Sequence, residues 1–179
     1  MNANDIFRNS RFEKMRELKT YLAQVVQERD ALRTEIEILK SHFFLAVMAA
    51  QDVMRLGDDG EFIIVDGWNA VLNNKTREHS TVQNAAKQYL ASHDNVFIWI
   101  VFDGDKANSI LEENGKLRVT YTGGKGDHRA DRMICDFVRM VVLSGSKVKV
   151  TVHTNDKDFR EEVKKIGANV CAADTLWRI

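Results

Sequence analysis

The chain has 179 residues, room for one domain and an appendage, and its 44% hydrophobic content suffices for a core beneath a surface rich in charge. Lys+Arg and Asp+Glu balance at 26 each, which counts against a high-affinity, sequence-independent binder of long nucleic acid but leaves room for a local basic rim. Cys135 and Cys171 are too few for a disulfide framework or a tetrahedral zinc site, and both are expected as buried thiols.

No basic-then-apolar secretory pattern opens the chain. The longest apolar run near the start, Phe43–Ala50, falls well short of a membrane span, so a cytoplasmic protein with no membrane partner is expected. From about Arg11 to Arg55 no glycine or proline interrupts the sequence. With Met15 at position a of a heptad, Leu18, Leu22, Val25, Leu32, Ile36, Leu39 and Phe43 continue a 3-4 apolar repeat broken once, by Arg29. Such a repeat marks a coiled coil, and Glu28 with Arg33, then Glu35 with Lys40, stand at g and following e′ positions with opposite signs. A homodimer through residues 11–40 is one reading. The other is a single amphipathic helix docked on its own domain, since Phe44, Val47, Met48 and Met54 widen the apolar face. Before about Leu39 the oligomerising role is expected; after it, docking.

Leu56-Gly57-Asp58-Asp59-Gly60 combines a glycine helix stop with a polar turn, dividing a helical segment 1–56 from a domain at 61–179. Beyond it the expected order is strand 62–66, helix 80–92, strand 97–102, strand 117–121, helix 129–143, strand 148–153, helix 158–166 and strand 169–173. Between Phe102 and Leu117 there is too little chain for a normal crossover helix, although Ala107–Asn114 has room for a turn or two. Continuous apolar strands alternating with helices specify a three-layer α/β fold around a mainly parallel sheet covered on both faces.

Four of these elements meet acid. Phe62–Val65 runs into Asp66, Phe97–Phe102 into Asp103, and Val148–His153 into Thr154-Asn155-Asp156-Lys157-Asp158. After Leu117–Tyr121 comes a glycine-rich loop, Thr122–Gly126, then Asp127 and Asp131 at the start of a helix. In a parallel sheet the carboxyl ends of the strands share one edge, where ligands bind. Taken alone, Asp156 reads as a helix cap. Taken together, Asp66, Asp103, Asp131 and Asp156 converge, and gathered carboxylates repel unless a cation or protons neutralise them. An oxygen-only set favours Mg²⁺ or Mn²⁺, ions that serve phosphoryl transfer.

Asp66-Gly67-Trp68-Asn69 resembles the Asp-Gly-Tyr/Trp-Asn signature of the NYN branch of PIN-like nucleases, the branch that includes the YacP-like proteins. Val101-Phe102-Asp103-Gly104 is similar to that family's second acidic strand end, and Gly126-Asp127-His128-Arg129-Ala130-Asp131 to the segment before its third acidic position. Thr154-Asn155-Asp156-Lys157-Asp158-Phe159 resembles its last corner. The resemblance spans roughly residues 61–174, in the family's order. It implies a PIN-like fold and a metal-dependent ribonuclease that hydrolyses RNA to 5′-phosphate and 3′-hydroxyl ends. Asp66, Asp103, Asp131 and Asp156 would form the carboxylate centre, supported by Asn69, with Asp158 either a further ligand or a residue behind the ligands. The third segment departs from the pattern: Asp127 and Asp131 stand i, i+4 and both fit one helix face, so which of them faces the metal stays open.

Lys125 and Arg129, beside the third corner, are candidate phosphate contacts, and Trp68 is either a base-stacking surface or packing beneath the sheet edge. His128 is a general acid or a solvated loop histidine. The Walker pattern fails, because Lys125 is followed by Gly126 and Asp127. There is no G-x-S-x-G elbow, and the Asp-x-Asp spacing of a haloacid-type phosphatase occurs at the second strand, Asp103-Gly104-Asp105, instead of the first. The competing functions are a DNA or flap-type nuclease and a non-catalytic RNA-binding or scaffold protein of the same fold.

Overall fold

A computed structural model describes residues 3–73 and 78–175. The chain separates into two units, Met1–Lys40 and Ser41–Ile179. The first consists of the opening turns of helix α1 (Ala3–Leu56). No described helix is long and apolar enough to cross a membrane.

The second unit is built on six strands: β1 (Glu61–Asp66), β2 (Val96–Phe102), β3 (Ala107–Glu112), β4 (Leu117–Thr122), β5 (Lys149–His153) and β6 (Asn169–Cys171). They lie in the order β3-β4-β2-β1-β5-β6, parallel throughout except for β3, which runs antiparallel to β4. The helices are α2 (Gly67–Asn73), α3 (His79–Ser92), α4 (Arg129–Leu143) and α5 (Lys157–Ile166).

Alternate residues of each central strand feed two separate cores. Phe62, Ile64, Trp99 and Val152 pack with α4, α5 and the end of α1. Ile63, Val65, Ile98, Ile100 and Val119 pack with α2 and α3. That two-sided burial is why β1 and β2 carry unbroken apolar runs, and the three-layer architecture agrees with the sequence.

The segment between Phe102 and Leu117 is the main departure. Ala107–Glu112, expected as a turn or two of helix, is edge strand β3. A strand return solves the length problem: the chain runs back along the far side of β4, so parallel neighbours β2 and β4 need no crossover helix. Its largely exposed pattern hides the strand from hydrophobic periodicity. The short helix α2 was also not anticipated, and Cys171 is only half-buried where a buried thiol was expected.

The last turns of α1 belong to the globular unit, where Ala49, Asp52 and Val53 are buried. Asp52 is 0% exposed and meets buried Arg118 of β4 in a two-point ion pair, Nε to Oδ2 at 2.5 Å and Nη2 to Oδ1 at 3.1 Å. Arg118 Nη1 also donates to Ser109 of β3. An ion pair out of water is stable only with both partners present, so Asp52→Ala is expected to cost about 3–5 kcal/mol of unfolding free energy. The double change Asp52→Leu with Arg118→Met should cost far less. Urea titration of the two variants checks this; equal losses would refute it.

Candidate functional site

β1 ends at Asp66, and the chain turns at once into α2. Gly67 is required there, because a Cβ at this position would run into the Phe102 ring. The turn carries Asn69 back under Asp66, whose carboxylate accepts the Asn69 backbone N–H at 3.2 Å and its Nδ2 at 2.6 Å. A third donor comes from the neighbouring strand end: the buried Thr154 hydroxyl, 2.9 Å from Oδ2. Asp66 is only 4% exposed, and desolvation raises its pKa from 3.8 to about 6 against the pull of these donors. The charge of Asp131 pushes in the same direction.

Asp103 follows β2. Its Oδ1 accepts the Ala130 backbone N–H at 2.8 Å and the Thr122 hydroxyl at 3.2 Å, binding the second corner to the end of β4 and the start of α4. Asp131, in the first turn of α4, is half-buried. Burial raises its pKa, the His128 hydrogen bond opposes this, and the charges of Asp156 and Asp103 raise it further. Asp156 caps α5, accepting Phe159 N–H at 2.9 Å, while its own N–H donates to Thr154 Oγ1 at 3.2 Å. Cap and charged corner are the same residue. Asp131, Asp156 and Asp158 line a cleft of about 300 Å³ with His128 at its lip.

Asp131 therefore feels the charges of Asp66, Asp103 and Asp156. The gathering is looser than the sequence suggested. Among the described residues no group of three or more His, Cys, Asp or Glu closes into a ready-made metal site. The donor chemistry suits a hard divalent ion; a preformed ligand cage is not what this arrangement supplies.

Asp127 and Asp131 do not share a helix face. Asp127 is exposed in the loop before α4, and His128, in left-handed backbone conformation at φ 59°, separates it from the helix. His128 Nδ1 lies 2.9 Å from Asp131 Oδ2. Arg129 is not the exposed cation the sequence suggested. It is 8% exposed, and its guanidinium reaches Thr122 at 3.3 Å, the Gly104 carbonyl at 3.3 Å, the Gly126 carbonyl and, at 3.8 Å, Asp103. Arg129 holds the glycine-rich loop; Lys125 is the exposed cation of that loop. Trp68 keeps 41% of its surface exposed while its indole N–H donates to the Asp103 carbonyl at 2.9 Å. It stands edge-on to His79 at 4.7 Å, and His79 stacks on Phe102 at 4.3 Å.

Sequence reasoning missed Thr122, Thr154 and His79. The two threonines had a signal: a hydroxyl residue at a strand end beside an acid is a local donor for it. His79 had none, being brought to the edge only by the start of α3.

A family model, the YacP-like NYN domain, matches residues 63–179. The chain belongs to the YacP-like NYN family. That family is a branch of the PIN-like nucleases. No curated protein matches the chain. Among solved structures it is similar to a point mutant of Rae1 (YacP) from Bacillus subtilis, at 20% identity and a TM-score of 0.49 over 66% of this chain and 73% of that one.

In this NYN domain two buried groups oppose each other in pH dependence. Asp66 titrates near 6 when folded and 3.8 when unfolded. Between those values the native state holds the extra proton, so stability falls as pH rises. His153 behaves inversely: burial lowers its pKa from 6.5 to about 4, and its Nδ1 has no partner among the described residues. Over that interval the unfolded state holds the extra proton, so stability rises with pH. Each effect is on the order of 3 kcal/mol, and they largely cancel. Asp66→Asn should therefore reveal stability that rises between about pH 4 and 6, and His153→Gln stability that falls over the same interval. Urea unfolding across that range tests this; slopes of one sign in both variants would refute it.

Proposed function

We propose that this NYN domain is a divalent-metal-dependent ribonuclease acting in the cytoplasm, hydrolysing RNA phosphodiester bonds at the carboxyl edge of its sheet. The observation that carries the reading is the position of Asp66 at the end of β1, Asp103 after β2, Asp156 between β5 and α5, and Asp131 in the first turn of α4, in a chain of the YacP-like NYN family. These four would hold Mg²⁺ or Mn²⁺, with Asp158 at the cleft as a further oxygen donor. When bound, such an ion activates a water and screens the phosphate oxygens.

The chain's own residues supply the frame. Asn69 and Thr154 fix the Asp66 carboxylate, and the Ala130 amide with Arg129 fixes Asp103. Trp68, held by its indole N–H, offers an exposed ring on which an RNA base can stack. Lys125 on the glycine-rich loop is the cation placed to meet a backbone phosphate. Asp127, exposed beside it, stands outside the carboxylate group.

Asp156 allows its capping and chemical roles to be separated. Asn caps a helix as well as Asp does, whereas Ala forfeits about 1 kcal/mol. Asp156→Asn should keep the fold's stability, yet abolish both the rise in melting temperature with Mn²⁺ and cleavage of RNA. Thermal melts with and without Mn²⁺, paired with cleavage assays on RNA and DNA, read both effects. A wild-type protein indifferent to Mn²⁺ and inert on RNA would leave the non-catalytic reading, and preferential cleavage of DNA would favour the DNA or flap-type one.

The two basic residues should now behave differently. Lys125→Ala is expected to weaken RNA binding and lower the salt slope by about one unit, at unchanged stability. Arg129→Ala should lower stability, because it removes the guanidinium that holds the loop. Salt titration of RNA binding, set beside melting curves, distinguishes them; an unchanged salt slope in Lys125→Ala would remove it from the interface.

A further inference from the structure

Helix α1 carries an apolar seam, interrupted at Arg29, that no described residue of Met1–Lys40 covers. At the a and d positions Met15, Leu18, Leu22, Val25, Leu32, Ile36 and Leu39 are all between 40% and 60% exposed. Seven large apolar side chains at 3-4 spacing on one helix form an unpartnered stripe, and a lone helix has little stability without tertiary packing. The b, c and f positions between residues 15 and 40 are Arg16, Glu17, Thr20, Gln24, Gln27, Asp30, Thr34 and Glu37, with Ala23, Ala31 and Ile38 the exceptions, so one main seam is offered and a wider bundle is not favoured.

We propose that the occupant of this seam is a second copy of the chain, paired in parallel as a two-stranded coiled coil whose strongest part is residues 22–40. Charge complementarity selects both partner and direction. In a parallel pair Glu28 meets Arg33 of the other copy and Glu35 meets Lys40, each twice by symmetry. Tyr21 meets Val26, an apolar pair that extends the seam. An antiparallel pair instead sets e against e, where Lys19, Arg33 and Lys40 are all basic.

The N-terminal layer is unfavourable, because Lys14 at g faces Lys19 at e′. The seam is therefore tightest beyond Leu22 and opens toward the start of the helix. Arg29 is the one charged a-position. A long cation at a single a site costs stability but suits a two-stranded coil, where its stem lies on the seam and its head reaches solvent. Its guanidinium is already paired with Asp30 at 2.7 Å on the same helix, which lessens repulsion between the two copies.

Sedimentation equilibrium of the full chain, from low to high micromolar concentration, tests the assembly. A dimer is expected, shifting to monomer in Leu32→Glu with Ile36→Glu. Both side chains are exposed on the single helix, so these changes leave the nuclease domain folded, as its melting curve verifies. Direction is read separately. Leu32→Cys should cross-link to its own copy on oxidation, since d faces d′ only in a parallel pair. Glu28→Lys with Glu35→Lys should weaken the dimer at least tenfold, and adding Arg33→Glu with Lys40→Glu should restore it. A monomer at high micromolar concentration, a trimer or tetramer, or indifference to the charge exchange would overturn the proposal. RNA cleavage is not needed for any of these readings, so failure here leaves the ribonuclease reading untouched.

Discussion

Everything at the carboxyl edge depends on keeping an acid where water hardly reaches. Asp66 ends a central strand of the sheet, flanked by β2 and β5. A carboxylate there is costly to ionise unless donors surround it. Asn69 and Thr154 are those donors, and they come from the two chain segments that must meet at this point: the start of α2 and the end of β5. Satisfying one buried charge thus fixes the mutual position of three elements. Thr154 extends the tie by accepting from Asp156 N–H, so the first and last acidic corners share a single hydroxyl.

The same economy runs through the other corners. Asp103 fixes the entry of α4 through the Ala130 amide, and Asp156 caps α5. Asp66, Asp103 and Asp156 each spend part of their lone-pair capacity on a backbone N–H that would otherwise be unsatisfied at a helix start. The local donors hold these acids in place, and the charges of Asp156 and Asp103 raise the pKa of Asp131 beyond the effect of its burial.

The layered fold was legible because its signal is local: apolar runs of strand length, helical periods between them, and a glycine stop before Glu61. The acidic corners were legible because aspartate after an apolar strand is itself unusual. What the sequence hid was long-range or edge-exposed. Strand β3 shows no apolar run, since it lies at the sheet edge with both faces largely exposed. Arg129 reads as surface charge in a basic cluster, and only the folded loop shows its guanidinium enclosed by carbonyls and Asp103. The Asp52–Arg118 pair joins residues 66 positions apart, and nothing in either neighbourhood marks them as partners.

The pattern of apolar residues changes along α1, and the buried pair lies in its second part. Up to Leu39 the apolar residues of α1 recur at heptad spacing, which suits a partner helix. Beyond Ser41 the buried residues among those described are Ala49, Asp52 and Val53, with Leu56 packed beside them: steps of three and four that follow the face of a helix lying on a sheet. The change of period comes just where the chain passes from one unit to the other. An apolar face alone would leave the docked turns free to slide along the sheet, because hydrophobic contact is not directional. A desolvated two-point ion pair has only one geometry that satisfies it. Asp52 and Arg118 therefore set the register of α1 on the sheet, and the apolar contacts around them supply the affinity.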